Sequence, residues 1–164
     1  MSITGPRRIV CLTEETTETL YLLGQGDRIV GVSGYTVRPP EARLKPKVSA
    51  FINAKFDKIQ ALKPDLVLAF SDLQADLCAE LARRGMNVVV FNQRSVAEIL
   101  QMIAMLGGLI GCQTEAERLA DRLKANLDHI ADASSRFDRR LRVFVQRDRV
   151  PVSTFGESGL PCFR

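Results

Sequence analysis

The sequence predicts an α/β protein: a parallel sheet with helices packed on both sides. Two observations carry this. Leu66-Val67-Leu68-Ala69-Phe70 and Val88-Val89-Val90-Phe91 are short apolar runs with no polar alternation, which reads as strands covered on both faces. Between such runs lie segments whose apolar residues recur every three or four positions, the helical period. Strands alternating with helices require a parallel sheet with right-handed crossovers.

Taken in order, residues 8–12 form the first strand. Thr13 is placed to cap the helix that follows, and Glu14, Glu15 and Glu18 suit its positive N-terminal end. Gly24 and Gly26 close that helix, and residues 29–32 make a second strand. From Ser33 to Ala54 there is no clean periodicity, and Pro39, Pro40 and Pro46 exclude a long helix. A loop of that length in a compact domain is usually functional, and it carries Tyr35 and Phe51. Phe56, Ile59 and Leu62 share a helical face, which Pro64 ends because it lacks an N–H and disfavours helical backbone at Lys63. The strand 66–70 follows, with Phe70 at its carboxyl end, the edge where open α/β sheets place ligands.

Residues 72–84 read as a helix with Leu73, Leu77 and Leu81 on one stripe, closed by Gly85. After the strand 88–91, Ser95 and Glu98 form a capping box for a helix whose buried face is Ile99, Met102, Ile103 and Leu106. Gly107, Gly108 and Gly111 are expected to loosen its end. A second capping box, Thr114 and Glu117, opens the longest helix, which runs to about Ala133 with one apolar line at Leu119, Leu123, Leu127 and Ile130. Residues 141–145 read as a last strand.

The 164 residues correspond to one domain with a sizeable core. With 46% hydrophobic and 26% charged residues the chain is globular rather than disordered. No apolar run approaches the roughly 20 residues that span a bilayer, and no secretory signal is visible before the first strand. The net charge of +4 owes much to Arg136, Arg139, Arg140, Arg142, Arg147 and Arg149. No aromatic interleaving accompanies them, so they read as a solvated surface and not as a nucleic-acid patch. Cys11, Cys78, Cys112 and Cys162 never form a CxxC pair and are expected to be reduced and structural. His129, the single histidine, is expected to be exposed on the long helix, and one histidine argues against a His-ligated metal site.

These stretches together resemble a known family. RRIVCLTEETTETLYLLGQGDRIVGVSGY, PPEA, KVSAF, FDKIQALKPDLVLAF, GMNVVVF and LRVFVQ are similar to the N-terminal half of class III periplasmic binding proteins of ABC importers. Those are the single-helix type serving vitamin B12, siderophores and haem, and the likeness is greatest to the vitamin B12 binders. The resemblance implies a Rossmann-like ligand-binding lobe at 1–112, a long inter-lobe helix at 113–138, and the first strand of an incomplete second lobe at 139–164. It implies a solute-binding component that captures a corrinoid or related metal chelate and delivers it to membrane permease subunits, with no catalytic residue and no cofactor. It also implies a periplasmic or cell-surface location, while the lack of a visible signal leaves a cytosolic placement open.

Carried over by position, Tyr35, Phe51 and Phe70 match aromatics that line the cleft, the two phenylalanines standing where the B12 binders have tryptophan. Asp57 matches an acidic residue that pairs with an arginine of the permease. Arg147 and Ser153 stand near positions where second-lobe aromatics are expected, a departure that suits a more anionic ligand.

The residues support part of this independently, since flat conjugated ligands are held by aromatic surfaces with a few polar groups. Against it, Phe51 and Phe70 are also read as simply completing the core, and Asp57 as a helix cap. A Rossmann-like enzyme acting on a nucleotide is disfavoured, because no GxGxxG or GxxxxGK[ST] follows any strand. A cytosolic relative that kept the fold without transport is the third reading. Three aromatic contacts at about 1.5 to 3 kcal/mol each scarcely offset an association cost of about 4 to 15 kcal/mol. The 164-residue chain is therefore expected to bind weakly by itself, and to self-associate through the open strand edge at 141–145.

Overall fold

The structure, a computed structural model, describes residues 5–137. The expected strand at 141–145, the self-association assigned to it, Arg147, Ser153 and Cys162 all lie outside these residues. Six strands, β1 (Ile9–Cys11), β2 (Ile29–Ser33), β3 (Lys47–Ala50), β4 (Asn53–Ala54), β5 (Leu66–Phe70) and β6 (Val88–Phe91), form one sheet. Their order is β4-β3-β2-β1-β5-β6. All neighbours are parallel except β3 and β4, which form an antiparallel hairpin. Five helices accompany them: α1 (Glu14–Leu22), α2 (Phe56–Ala61), α3 (Ala75–Arg83), α4 (Val96–Ile110) and α5 (Gln113–Ser135).

Strand order first grows from β1 through β2 to β3, then returns to the other side of β1 with β5 and β6. Right-handed crossovers in opposite directions put helices on opposite faces. Along β1 and β5, Ile9, Cys11, Leu66 and Leu68 belong to a core shared with Leu20 of α1, Leu106 of α4 and Leu119 of α5. Val10, Leu12, Val67 and Ala69 belong to a second core with Ile59 of α2 and Leu77 and Leu81 of α3. Both faces of the central strands are covered, which is why they contain no polar residue. The Cys11 thiol is buried in the first core, and burial pushes its pKa up to about 12, so it is an inert apolar group at neutral pH.

The turn between α2 and β5 follows from its sequence. Lys63 adopts φ 45° and Pro64 stops the helix. The Arg8 guanidinium donates to the carbonyls of Leu62 at 2.6 Å and Lys63 at 3.1 Å. Asp65 accepts from the backbone N–H groups of Arg7 and Arg8 at 2.7 and 2.9 Å. These bonds tie the start of β1 to the start of β5.

Several expectations need correction. The stretch 33–54 is not one loop: it holds a 3-10 turn at Pro40–Leu44 and the β3–β4 hairpin. Leu73 is exposed, because residues Asp72–Gln74 form a 3-10 turn before α3 begins. Ile99 is also exposed, leaving Met102, Ile103, Leu106 and Ile110 as the buried face of α4. Thr13 occupies the N-cap of α1 without a side-chain bond to its amides; its carbonyl accepts from the Thr17 hydroxyl at 2.9 Å instead. The capping box at Thr114 does not form, since α5 starts at Gln113 behind Cys112. Ser95 does cap α4, accepting from the Glu98 N–H at 3.3 Å.

The glycines do not loosen α4. It continues to Ile110 and stops at Gly111 in the left-handed conformation, φ 76°. Gly107 is where α4 and α5 touch: a methyl there would overlap the Cβ of Ala116 and stand 3.2 Å from the Cys112 carbonyl oxygen. At 23 residues α5 is roughly 35 Å long. Only its first half packs on the lobe; from Lys124 on every described side chain is exposed, Leu127, His129 and Ile130 included.

Candidate functional site at the carboxyl edge of the sheet

Tyr35, Phe51 and Phe70 all follow or end strands at the same edge. Tyr35 lies two residues past β2, Phe51 one residue past β3, and Phe70 is the last residue of β5. This is the carboxyl edge, and β1 is its switch point, where strands were added on one side and then the other. None of the three belongs to either core cluster. Tyr35 is 62% exposed, and Phe51 and Phe70 are half-buried. The core-filling reading of the two phenylalanines is therefore not what the packing shows.

The backbone beneath these rings is unusual. Phe51 and Ile52 form a two-residue connection between Ala50 and Asn53, which pair across the hairpin. Phe51 takes φ 43°, a left-handed turn position that glycine or asparagine fills at lower cost. Ser71, directly after Phe70, takes φ 63° and is fully buried. Its N–H donates to the Phe91 carbonyl at 2.8 Å, and its hydroxyl accepts from Leu73 N–H at 3.3 Å. Left-handed non-glycine residues persist only where surrounding contacts hold them, and they cluster at binding sites.

Two polar side chains at this edge were not anticipated. Gln74 is fully buried; its Nε2 donates to the Phe51 carbonyl at 2.6 Å, and its Oε1 accepts from the Phe70 N–H at 3.0 Å. Arg94, after β6, pairs with Asp72 at 2.7 Å and holds its guanidinium 5.6 Å from the centroid of the Phe70 ring. Nothing in local periodicity marks either residue: Gln74 reaches the Phe51 carbonyl 23 positions away, and Arg94 reaches Asp72 22 positions away.

Among the described residues, four buried side-chain oxygens lack a hydrogen-bond partner: those of Glu14, Thr36, Ser49 and Gln93. Glu14 and Thr36 lie three residues past β1 and β2, Ser49 is the penultimate residue of β3, and Gln93 lies two past β6. All four sit at the carboxyl edge. Orphaned buried oxygens carry a desolvation cost of about 1 to 3 kcal/mol each, and here that cost is collected at one edge of the sheet. A cleft of about 210 Å³ beside β6 and α4, lined by Val90, Gln93, Glu98, Met102 and Met105 among others, lies to one side and includes none of the three aromatics.

Asp57 is the second residue of α2 and not its cap, which is Lys55. Its side chain is 99% exposed and pairs with Arg84 at 3.0 Å. Arg84 also bonds Glu80 at 2.8 Å and lies 4.9 Å from the Phe56 ring centroid. No group of three or more His, Cys, Asp or Glu gathers among the described residues. No helix among them is long and apolar enough to cross a membrane.

Comparison with known proteins bears on the family and the fold. A family profile described as periplasmic binding protein matches residues 9–161. An uncharacterised ABC transporter substrate-binding lipoprotein of Bacillus subtilis is 33% identical over 86% of this chain and 46% of its own length. A vitamin B12-binding protein of Pectobacterium atrosepticum is 27% identical over 94% of this chain and 57% of its own. The chain thus spans about half the length of the curated relatives it matches. A possible iron-binding periplasmic solute-binding protein of Staphylococcus epidermidis superposes with TM-score 0.76 at 28% identity, over 84% of this chain and 55% of that one. A periplasmic haem-binding protein of a Roseiflexus species superposes with TM-score 0.73 at 25% identity, over 82% and 52%.

Proposed function

This chain belongs to the periplasmic binding protein family, and from that premise we propose that it forms one wall of a cleft that captures a corrinoid or related metal chelate for an ABC importer. The family consists of binding proteins and not enzymes, which removes the nucleotide-enzyme alternative. The observation that carries the proposal is the convergence of Tyr35, Phe51 and Phe70 on one sheet edge with all three outside the core. Each ring supplies about 1.5 to 3 kcal/mol if fully covered by a flat ligand. The vitamin B12-binding relative supports the corrinoid.

In this reading residues 1–112 are the ligand-binding lobe, 113–138 the helix leading away from it, and 139–164 the beginning of a second lobe. The exposed second half of α5 is consistent with a helix built to carry something further. Asp57, on the surface and outside the aromatic edge, is assigned to docking on the permease.

A second reading is favoured by Arg94. Its guanidinium lies beside the Phe70 ring and, among the described residues, pairs with the exposed Asp72. That places a cation where a carboxylate-bearing chelate, haem or a ferric siderophore, would present its acid groups. Chemical-shift titration of the chain with cyanocobalamin, haemin and a ferric siderophore separates the readings. Cyanocobalamin is expected to shift resonances of Tyr35, Phe51 and Phe70 with millimolar affinity. Shifts with haemin or the siderophore alone move the assignment to the second reading, and no shift at these residues with any probe refutes the aromatic wall.

A further inference from the structure

We propose that Gln74 is the positioning residue of this wall, a tie that sets the Phe51 ring relative to the Phe70 ring; the inference rests on reading those rings as ligand-facing. In the sheet order, β3 and β5 are separated by β2 and β1, so no ladder hydrogen bond relates the strand bearing Phe51 to the strand bearing Phe70. The two rings also stand on the two turns of this edge that hold left-handed residues, φ 43° at Phe51 and φ 63° at Ser71. Left to themselves, these turns are free to drift independently of each other.

Gln74 joins them directly. The β1 partner of β5 ends opposite Leu68, so the Phe70 N–H extends past it, and the Gln74 Oε1 takes that N–H at 3.0 Å. The other end of the same amide donates to the Phe51 carbonyl, a turn group, at 2.6 Å. Gln74 is itself fully buried and anchored by its own N–H to the Ser71 carbonyl at 3.2 Å. One planar amide, donor at one end and acceptor at the other, therefore bridges the two turns that carry the rings. Asparagine is too short for that span, and a carboxylate offers no donor to the Phe51 carbonyl.

Two variants of the full chain test this. Gln74→Met keeps the volume and removes both bonds; Gln74→Glu, measured at a pH where its carboxyl is ionised, keeps the acceptor for Phe70 and removes the donor to Phe51. Amide hydrogen exchange of Phe70 is expected to stay slow in Gln74→Glu and to quicken at least about tenfold in Gln74→Met. In both variants the resonances of Phe51 and Ile52 move while the Ser49–Ala54 pairing stays protected. Binding of cyanocobalamin, haemin or the ferric siderophore, whichever binds, should weaken at least about fivefold in Gln74→Met. The loss should be non-additive with Phe51→Ala, because a ring already absent gains nothing from being positioned.

An unchanged affinity, or strict additivity, overturns the proposal and leaves Gln74 as a residue that only satisfies two backbone groups. If none of cyanocobalamin, haemin and the ferric siderophore binds the wild-type chain, the cleft reading fails on its own. The tie is then judged by the spectra: it stands if the Phe51 and Phe70 resonances respond together, and falls if Phe51 does not respond. Should the carboxylate variant not fold, Gln74→Met alone decides by the same measurements.

Discussion

Replacing Gly107 and Gly108 in turn by alanine should change stability in opposite directions, although the two residues are adjacent in one helix. Both lie inside α4, so each substitution gains about 1 kcal/mol from helix propensity. What differs is the space. A methyl at Gly108 meets nothing within 4 Å, and Gly108 is exposed. A methyl at Gly107 would overlap the Cβ of Ala116, which is 0% exposed and has no flexible end to swing away. The helices must separate along their seam, and overpacking of that kind costs about 1 to 3 kcal/mol, occasionally more. Severe overlap places Gly107→Ala at the upper end, a net loss of about 1 to 2 kcal/mol after the propensity gain. Gly108→Ala should gain up to about 1 kcal/mol. Urea denaturation followed by far-ultraviolet circular dichroism measures both, and Ala116→Gly in the Gly107→Ala background should recover part of the loss. Equal stabilisation by the two substitutions would refute the close-contact argument and with it the account of how α5 is set on the lobe.

Other outcomes follow from single residues. Asp57→Lys should cost less than about 1 kcal/mol of stability, since its partnership with Arg84 is a surface ion pair. It should leave chelate affinity unchanged and weaken association with the permease; loss of affinity with docking intact would reverse the assignment. Ser95→Ala should lower stability by about 0.5 to 2 kcal/mol through loss of the α4 cap, read from the urea midpoint. Glu98 holds its carboxyl below the ordinary range, chiefly by accepting the Arg94 backbone N–H at 2.6 Å. A depressed folded pKa contributes stability above the unfolded value, near 4.3, and loses it as pH falls through the lower folded value. The stability gap between wild type and Glu98→Gln should therefore be full at neutral pH and close below about pH 4; a gap constant with pH would show that the carboxylate is not the cause.

The sequence by itself determined the α/β class and the central strands. Leu66–Phe70 and Val88–Phe91 are apolar without alternation because helices cover both faces, and that pattern is local and readable. Pro64 and Gly85 marked helix ends for the same reason, since what they lack or permit is a property of the residue. The likeness of the quoted stretches to the binding-protein family was equally legible, and it singled out Tyr35, Phe51 and Phe70. The β3–β4 hairpin was not legible, because Lys47–Ala50 becomes a strand only by pairing with β2, and Phe51 adopts a turn conformation that its own side chain disfavours.

Tertiary structure also decided which apolar residues are buried. Leu73 and Ile99 fit helical stripes yet face solvent, since a 3-10 turn and the end of the α4 contact rotate them outward. Gly107 looked like a helix breaker and is a contact point, because only the approach of Ala116 explains a missing side chain there. Gln74 and Arg94 matter through partners 23 and 22 positions away. Sequence periodicity reports which face of an element is apolar; it says nothing about which distant turn that element will meet, and the arrangement of the aromatic edge depends on such meetings.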